Sequence, residues 1–382
     1  MIRLAMVGCG KMSAAYLKQM EPLADRLGFT ALVDIDLERA RAAAQASPVA
    51  ARATCATDYR DILDQIDAAI IALPHDLHHE VSIGLMEAGK HVLIEKPLAN
   101  TERQCLDIID TAEHTGVVAM HGYVMRHNPL VRQYSQLLRD QAHGEPFHVS
   151  IWTEQYTDAS RGAWIGQVRG VGGGQLFSHG CHYIDLLLHW LGEPIEGTHV
   201  GTNLGTPWME MEGTSNVAMK FASGATAYHF GTWGARGSRL GYSFQAHCTG
   251  GMLEMDRRAG EIVHWLDPSH GDLGGMTQKE LEATKDKPRS RVLARAEAAH
   301  KHTAAEVEHF IDCIEQSRTP ETDLPTGLQS LRAIWRLYDA EQRGIVADLR
   351  GLGHAQFSPE PDPVLAERKR FGYTCDYEAL FA

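Results

Sequence analysis

The chain begins with a short apolar strand that leads directly into a glycine turn and a helix. The strand is IRLAMV, the turn is Gly8-Cys9-Gly10, and apolar residues recur at helical spacing from Met12 onward. Such a turn brings the backbone close to a pyrophosphate, and the free N–H groups of the helix N-terminus donate hydrogen bonds to it. Ser13 replaces the third glycine of this pattern and is small enough for helix–strand packing. The feature predicts a dinucleotide-binding α/β domain.

The next predicted strand ends in an acidic residue that bears on the choice of dinucleotide. This strand, FTALVD, ends at Asp34, at roughly the expected distance of ~20 residues from the glycine turn. A carboxylate there accepts hydrogen bonds from the ribose 2′,3′-diol and repels a 2′-phosphate. Because Ile35 follows, and not Arg or Ser, the pattern favours NAD over NADP. The alternative is that Asp34 only caps the helix that begins near Leu37.

Strands and helices continue to alternate up to about residue 124. Further strands are predicted within 66–74, 91–97 and 117–123, and a helix within 79–89. The alternation predicts a parallel sheet, hence a Rossmann domain over 1–124, with its ligand at the carboxyl ends of the strands. The residues expected at the cofactor are therefore Gly8, Gly10, Lys11, Met12, Asp34, Ile35, Ala72, Leu73, Pro74, His75, His78, Glu95 and Lys96.

A group of histidines follows the strand at 66–74. His75, His78 and His79 have no cysteine partner nearby and lie at a strand-to-helix junction, so a structural role or one at the cofactor edge is favoured over metal binding. No metal site is predicted.

The second half of the chain has a different pattern. From residue 125 to 350, several strands follow one another without intervening helices, which predicts an α+β domain with a largely antiparallel open sheet. The charged segment 276–295 is expected to be a solvated helix or loop. Two amphipathic helices close this domain, and the last could return to the first domain. Residues 351–382 are expected to form an extended tail.

Charge and cysteine usage limit the partners and the compartment. The formal net charge is −13 and no basic run could follow a phosphate backbone, which argues against nucleic-acid binding. No stretch approaches the ~20 apolar residues of a membrane span, and the N-terminus lacks the pattern of a signal peptide. Seven scattered cysteines suggest reduced thiols in the cytoplasm.

Two segments carry the residues expected to do chemistry. In EKP, Pro97 stops the strand and leaves Lys96 at the cleft mouth, where its amine could bind a substrate hydroxyl. The alternative is a surface lysine paired with Glu95. The second segment, GGGQLFSHGCHYIDLLLHWLG, offers His179 and His182 beside an amphipathic helix. A histidine can act as a base near neutral pH without large tuning of its pKa.

The combination of motifs resembles the Gfo/Idh/MocA oxidoreductase family, the glucose–fructose oxidoreductase and inositol dehydrogenase group. The resemblance covers roughly residues 1–350 and rests on VGCGKM, ALVDID, GKHVLIEKPLA, MRHNP and the glycine-rich segment that contains GCHYID. It implies a Rossmann domain that binds NAD, a second domain whose open sheet often forms the oligomer interface, and a carbohydrate substrate. The protein is therefore expected to be a homo-oligomer, a dimer or a tetramer.

The resemblance also implies roles for individual residues. Lys96 matches the lysine that contacts the reacting hydroxyl, and His182 matches the acid/base histidine. The family normally has an aspartate four residues before that histidine, where this chain has Ser178. His179 is a candidate to take over its role. The expected substrate contacts are Lys96, Tyr156, Ser178, His179, His182 and Asp185, and Arg126 of MRHNP is expected at the cofactor.

The expected reaction is hydride transfer from a carbinol carbon of a sugar, polyol or glycoside to the nicotinamide. One alternative is a redox-neutral glycoside hydrolase with transient oxidation at C3, because a glycosidase branch of the family shares a hydroxyl residue followed by histidine at the Ser178-His179 position. That branch lacks the equivalent of His182. A second alternative is a non-catalytic NAD or sugar sensor. Several arginines in segments that flank the expected cleft raise the hypothesis of an anionic sugar, and the alternative is that they are ordinary surface residues. They are Arg126, Arg161, Arg169, Arg236 and Arg239.

Overall fold

The computed structural model describes residues 1–159, 162–265, 290–296 and 301–353. Its first sheet has six strands in the order β3-β2-β1-β4-β5-β6, and every neighbouring pair is parallel. The predicted Rossmann fold is confirmed. The strands are β1 (Ile2–Val7), β2 (Leu27–Val33), β3 (Thr54–Ala56), β4 (Ala68–Ile71), β5 (His91–Glu95) and β6 (Ala119–Gly122).

Both faces of this sheet are buried, which explains why its strands are almost continuously apolar. Along β1, Ala5 and Val7 belong to one hydrophobic cluster, and Leu4 and Met6 belong to a second cluster. The helices of this half are α1 (Lys11–Gln19), α2 (Leu37–Gln45), α3 (His78–Glu87) and α4 (Glu102–Thr115).

The second sheet has nine strands in the order β14-β13-β12-β11-β7-β10-β9-β8-β15. Within the described part of this second sheet, the β7–β10 pair is parallel and all other neighbouring pairs are antiparallel. The predicted largely antiparallel sheet is therefore confirmed. Its strands are β7 (Pro146–Glu154), β8 (Pro194–Thr202), β9 (Thr214–Phe221), β10 (Thr226–Thr232), β11 (Tyr242–Cys248), β12 (Gly251–Asp256), β13 (Glu261–Trp265), β14 (Ser290–Arg295) and β15 (Ala347–Asp348).

Strand β14 corrects one expectation. Residues 290–295 pair with β13 at the edge of the sheet, although the sequence suggests a solvated helix or loop there. The apolar run of this edge strand is only three residues long, Val292 to Ala294, and it follows a highly charged stretch, so the sequence alone does not reveal it. The rest of that segment, 276–289, lies outside the described residues.

The helices of the second half hold the two sheets together. They are α5 (Pro129–Arg139), α6 (Val168–Val171), α7 (Cys181–Leu191), α8 (Thr303–Gln316) and α9 (Leu324–Arg343). Helix α7 packs on β7 and β10, and α9 packs against α4 and α7. Helix α8 returns to the first sheet, where Val307, Phe310 and Ile311 share a cluster with Leu4 and Met6.

None of the described helices combines the length and the apolar character needed to cross a bilayer. Most of the predicted tail, residues 354–382, lies outside the described residues.

Candidate active site

The glycine turn after β1 has the shape that a pyrophosphate requires. Gly8 has a φ of +96°, and a Cβ there would lie 2.4 Å from the carbonyl oxygen of Ala72, so only glycine fits. A Cβ on Gly10 would meet nothing within 4 Å, which leaves open space in front of the N-terminus of α1. Lys11 and Met12 begin that helix, Lys11 exposed and Met12 partly buried. The turn therefore fits a bound dinucleotide.

Asp34 lies at the carboxyl end of β2 and also supports the glycine turn. Its carboxylate accepts a hydrogen bond from the Cys9 N–H at 2.8 Å and another from the Asp36 N–H at 2.9 Å. The N-cap of α2 is Asp36, so the alternative that Asp34 merely caps this helix is wrong. Arg39 contacts the same carboxylate at 3.2 Å, and Ile35 beside it is 91% exposed. An exposed apolar side chain next to this acid suits the adenosine end of a dinucleotide.

The loop after β4 forms one wall of the cleft. Ala72, Leu73 and Pro74 are partly exposed there. The ring of His78 lies 2.8 Å from the Pro97 carbonyl oxygen and 3.1 Å from that of Leu73, and so ties this loop to the end of β5. Burial lowers the pKa of His78.

His75, in the same loop, is buried and connects the wall to the second half of the chain. Its Nδ1 lies 2.8 Å from the Val171 carbonyl oxygen, and its ring meets Trp164 edge-on at 5.1 Å. Burial holds its pKa well below the usual value, so the ring is neutral. Both histidines thus build the wall of the cleft, and among the described residues no group of three or more His, Cys, Asp or Glu could hold a metal.

Two buried carboxyl groups, those of Glu95 and Glu306, lie at the carboxyl end of β5. The hydroxyl of Tyr16 bonds both to Glu95, at 2.9 Å, and to Glu306 of α8, at 2.8 Å. Burial, with the charge of Glu95 adding to it, raises the pKa of Glu306 well above its usual value. The amine of Lys301 lies nearby, 3.1 Å from the sulfur of Met12. Sequence gave no sign that α8 brings a carboxyl and a lysine to this place.

Lys96 follows Glu95 and reaches across to the glycine-rich segment. Its amine donates a hydrogen bond of 2.7 Å to the backbone carbonyl of Ser178. Ser178 lies in a π-helical turn, Leu176–Gly180, that leads directly into α7. Turns of this type are often found at functional sites. The sequence leaves open a surface ion pair between Lys96 and Glu95, and the described contacts do not contain one. The Glu95 carboxylate instead accepts hydrogen bonds from the Tyr16 hydroxyl and from the backbone N–H of Lys96.

His182 lies one turn further along, on the first turn of α7. It is 2% exposed, and neither ring nitrogen has a hydrogen-bond partner among the described residues. Its ring centroid is 5.6 Å from that of Tyr123 and 6.4 Å from that of His179. Burial, and then the charge of Lys96, lower the pKa of His182 well below the usual value. A neutral imidazole with two unpaired nitrogens is suited to accept a proton.

His179 has partners that neither the spacing nor the resemblance indicates. Its Nδ1 lies 3.2 Å from the Gln175 amide, and its Nε2 lies 3.3 Å from the hydroxyl of Tyr242. The Tyr242 hydroxyl also donates to Gln155. These side chains come from β11 and from the end of β7, which meet only when the second sheet has formed.

Three candidate residues have partners other than Lys96 and His182. Both oxygens of Asp185 bind the guanidinium of Arg126, at 2.7 and 2.6 Å, so these two form a buried ion pair and leave no free carboxylate oxygen. Tyr156 lies at the rim, is 57% exposed, and stacks on Arg236, whose guanidinium carbon is 5.6 Å from the ring centroid. For these three the predicted contacts with substrate or cofactor stay predictions.

Three of the remaining arginines suggested by the sequence lie on the surface. Arg169, Arg236 and Arg239 are exposed, and Arg161 lies outside the described residues. A different arginine, Arg257, is 9% exposed and stacks on the ring of Tyr242.

This geometry defines a dinucleotide-binding protein with a lysine and a neutral histidine at the carboxyl edge of its parallel sheet. The chain belongs to the Gfo/Idh/MocA family. Residues 2–123 match its model described as an oxidoreductase family with an NAD-binding Rossmann fold, and residues 131–254 match the C-terminal domain of the same family.

Individual relatives are distant. An uncharacterized oxidoreductase of Streptococcus pneumoniae is 27% identical over 60% of this chain, and the alignment spans 64% of that relative. A D-xylose 1-dehydrogenase (NADP⁺) of Haloferax volcanii is 24% identical over 75% of this chain and 81% of its own. A levoglucosan dehydrogenase solved with NADH and levoglucosan has a TM-score of 0.78 at 19% identity, over 91% of this chain and 99% of its own. At this identity the structural match shows the shared fold alone.

Proposed function

We propose that this protein is an NAD-dependent oxidoreductase that removes a hydride from a carbinol carbon of a sugar, polyol or glycoside. The observation that carries the proposal is the pair formed by Lys96 and His182. Lys96 follows β5, at the edge where a Rossmann sheet binds its cofactor, and its charge acts on His182 of α7. His182 is buried, and neither of its ring nitrogens has a hydrogen-bond partner among the described residues. A sensor would need neither group.

The cofactor site is formed by residues of the first half of the chain. The turn at Gly8 and Gly10 and the N-terminus of α1 would hold the pyrophosphate, and Asp34 would bind the adenosine ribose. Asp34 and Ile35 support NAD over NADP, since a 2′-phosphate would lie against the carboxylate. NAD supplies the hydride acceptor when bound.

The proton of the substrate hydroxyl is handled by the side chains. As the carbinol C–H bond breaks, the O–H proton passes to the neutral imidazole of His182, and a C=O bond forms in place of C–O. Lys96 donates a hydrogen bond to the oxygen on which negative charge develops. The Ser178 carbonyl holds the Lys96 amine in the cleft without neutralising its charge. Lys96 therefore remains able to polarise the substrate.

A second candidate, the redox-neutral glycoside hydrolase, is favoured by one observation. Lys96 meets a backbone carbonyl where the family pattern places an aspartate, and His179 lies beside it. In that reaction, oxidation at C3 acidifies the C2–H bond, the aglycone leaves, water adds, and the hydride returns. Net oxidation is then zero.

One experiment separates the two reactions. The protein is incubated with NAD and a panel of free sugars and nitrophenyl glycosides, while NADH absorbance and aglycone release are followed together. Stoichiometric NADH without aglycone supports the dehydrogenase. Aglycone release with catalytic NAD and no accumulation of NADH supports the hydrolase. NAD binding without NADH formation or aglycone release from any substrate would overturn both reactions and favour a sensor. Full activity after Lys96→Ala would show that Lys96 is not a catalytic residue.

Two further properties belong to this proposal. The outer face of the second sheet carries Trp152 in edge-on contact with Tyr228 and in tilted contact with Phe230, which supports a homo-oligomer formed through this face. Light scattering after gel filtration should give the mass of a dimer or tetramer.

The described cysteines are unpaired and the net charge is −13, which supports a cytoplasmic enzyme that binds no nucleic acid.

A further inference from the structure

The cleft contains a buried arginine that has no anionic partner in the part of the chain that the structure describes. Arg257 follows β12 and is 9% exposed, and its guanidinium carbon lies 4.9 Å from the ring centroid of Tyr242. Among the described residues its side chain makes no hydrogen bond and no ion pair. A buried cation without an anion is costly, because the lost hydration is not replaced. In a chain with net charge −13, such a cation indicates a ligand that supplies the missing charge.

Arg257 faces the candidate active site. The hydroxyl of Tyr242, the ring on which Arg257 stacks, lies 3.3 Å from Nε2 of His179. The positive charges of Arg257, Lys96 and Lys301 all lower the pKa of His179, although burial is the main cause. Arg257 is therefore close to the place where the sugar must lie against Lys96 and His182.

The acidic groups of this region already have partners. Asp185 is paired with Arg126, and the carboxyls of Glu95 and Glu306 are both bonded to Tyr16. Lys301 lies over these carboxyls and beside Met12, on the side of the cleft where the pyrophosphate is expected. Among the described residues of this region, Arg257 is therefore a cation without a carboxylate partner, and it lies on the side of the cleft where the substrate is expected.

We propose that Arg257 binds an anionic group of the substrate, so that the enzyme acts on negatively charged sugars such as sugar acids. The guanidinium fork matches a carboxylate or a phosphate through two parallel hydrogen bonds, and Tyr242 holds its plane. The inference rests on the proposed function and adds the class of substrate. The arginines that the sequence suggested for this role, Arg169, Arg236 and Arg239, are exposed at the surface.

The test uses matched sugars that differ only in charge: aldohexoses, the corresponding uronates, and the corresponding 6-phosphates. NADH formation is measured for each with the full-length protein, and binding to the NADH-loaded protein is measured by calorimetry. We expect kcat/KM for one anionic series to exceed that of the neutral series at least tenfold. The uronate and phosphate arms identify which anion is bound.

Variants then assign the preference to Arg257. Arg257→Gln should lower the anionic-to-neutral ratio of kcat/KM at least tenfold, and Arg257→Lys should restore part of it. Arg258→Gln is the matched control, because it removes the same charge one residue away, from an exposed side chain that donates to the Ser238 carbonyl. It should change the ratio less than threefold. NADH affinity, unchanged in all three variants, shows that each is folded.

The outcomes separate this inference from the proposed function. Neutral sugars preferred in turnover, anions bound no tighter than neutral sugars, or equal effects of Arg257→Gln and Arg258→Gln would overturn the role of Arg257 and leave the oxidoreductase standing. Failure to bind NAD, or no NADH formation from any of the neutral or anionic sugars, would overturn the oxidoreductase itself.

Discussion

The amine of Lys96 donates its hydrogen bond to the backbone carbonyl of Ser178, at 2.7 Å. The contact is thus made by an atom that every residue type has at this position. The family pattern places a carboxylate at residue 178, where it would form an ion pair with the lysine. In this chain the lysine is oriented by a neutral acceptor and keeps its full charge for the substrate.

Substitutions at the two positions should therefore differ sharply. Lys96→Met removes the group that stabilises the developing charge, and we expect kcat to fall by about 10²–10⁴. Ser178→Ala keeps the carbonyl that Lys96 uses, so its kcat should exceed that of Lys96→Met at least tenfold. Steady-state NADH formation measures both, and NADH affinity serves as the control for folding. Equal losses would show that the Ser178 hydroxyl, and not its carbonyl, supports Lys96.

The contact between Arg39 and Asp34 makes a prediction about cofactor choice. Asp34→Ala removes the carboxylate that repels a 2′-phosphate and leaves the Arg39 guanidinium, now 3.2 Å from that carboxylate, free to bind the phosphate. We expect the ratio of NAD to NADP in kcat/KM to fall at least tenfold. The double variant Asp34→Ala/Arg39→Gln should accept NADP less well than the single variant. If both variants use NADP equally, Arg39 takes no part in the choice.

The first half of the fold could be predicted well because its pattern is local. The apolar strands, the glycine turn and Asp34 each lie within a few residues of one another, and the parallel sheet buries both faces of every central strand. The sequence therefore predicted the Rossmann fold and the strand ends that form the cofactor site. The edge strand β14 was missed because its short apolar run, Val292 to Ala294, lies at the end of a highly charged segment and has no clear alternation.

The second half of the site depends on contacts between distant segments. The sequence alone marks Lys96 and His182 as candidates, and the resemblance to the family assigns their separate roles. Tyr242, Arg257 and Lys301 come from separate strands and loops, and nothing in their local sequence sets them apart from surface residues. Arg126 and Asp185 were assigned to cofactor and substrate, and their pairing with each other becomes visible only when the turn before α5 packs against α7.

This buried pair makes a prediction about stability. The Asp185 side chain is 2% exposed and that of Arg126 13%. Asp185→Asn leaves the guanidinium buried without its counter-charge, and we expect the free energy of unfolding to fall by about 3–5 kcal/mol. The double variant Arg126→Met/Asp185→Leu, which removes both charges, should cost less than the single change. Urea titration measures each value, and a double variant at least as unstable as Asp185→Asn would contradict the argument.

Buried neutral histidines should make the protein sensitive to acid. Burial lowers the pKa of His121 to about 3 and that of His229 to about 3. In the unfolded chain both titrate near 6.5. Between pH 6.5 and about 3 the unfolded state therefore binds more protons than the folded state, and the free energy of unfolding falls as pH decreases.

The slope of the free energy of unfolding against pH measures how many histidines are buried in the neutral form. Each contributes up to about 1.4 kcal/mol per pH unit in this window. Denaturant titrations at pH 7.0, 6.0 and 5.0 should show the decline, and His229→Gln should make it shallower by about one group. The exposed His114→Gln is the control and should leave the slope unchanged. Stability that stays constant from pH 7 to 5 would show that these rings are protonated, or hydrated, in the native protein.

The low pKa of His182 has a kinetic consequence. The proposed base acts as neutral imidazole, so kcat/KM should stay constant from pH 8 down to at least 6.5 and fall only at lower pH. The charge of Lys301 is, after burial and Lys96, the third cause that lowers the pKa of His182. Lys301→Met should raise that pKa and move the acid limb of the pH profile upward. Lys220→Met removes an exposed lysine on β9 and should leave the limb in place. An acid limb above pH 7 in the unmodified protein, or equal shifts in the two variants, would show that His182 is not the base that the structure suggests.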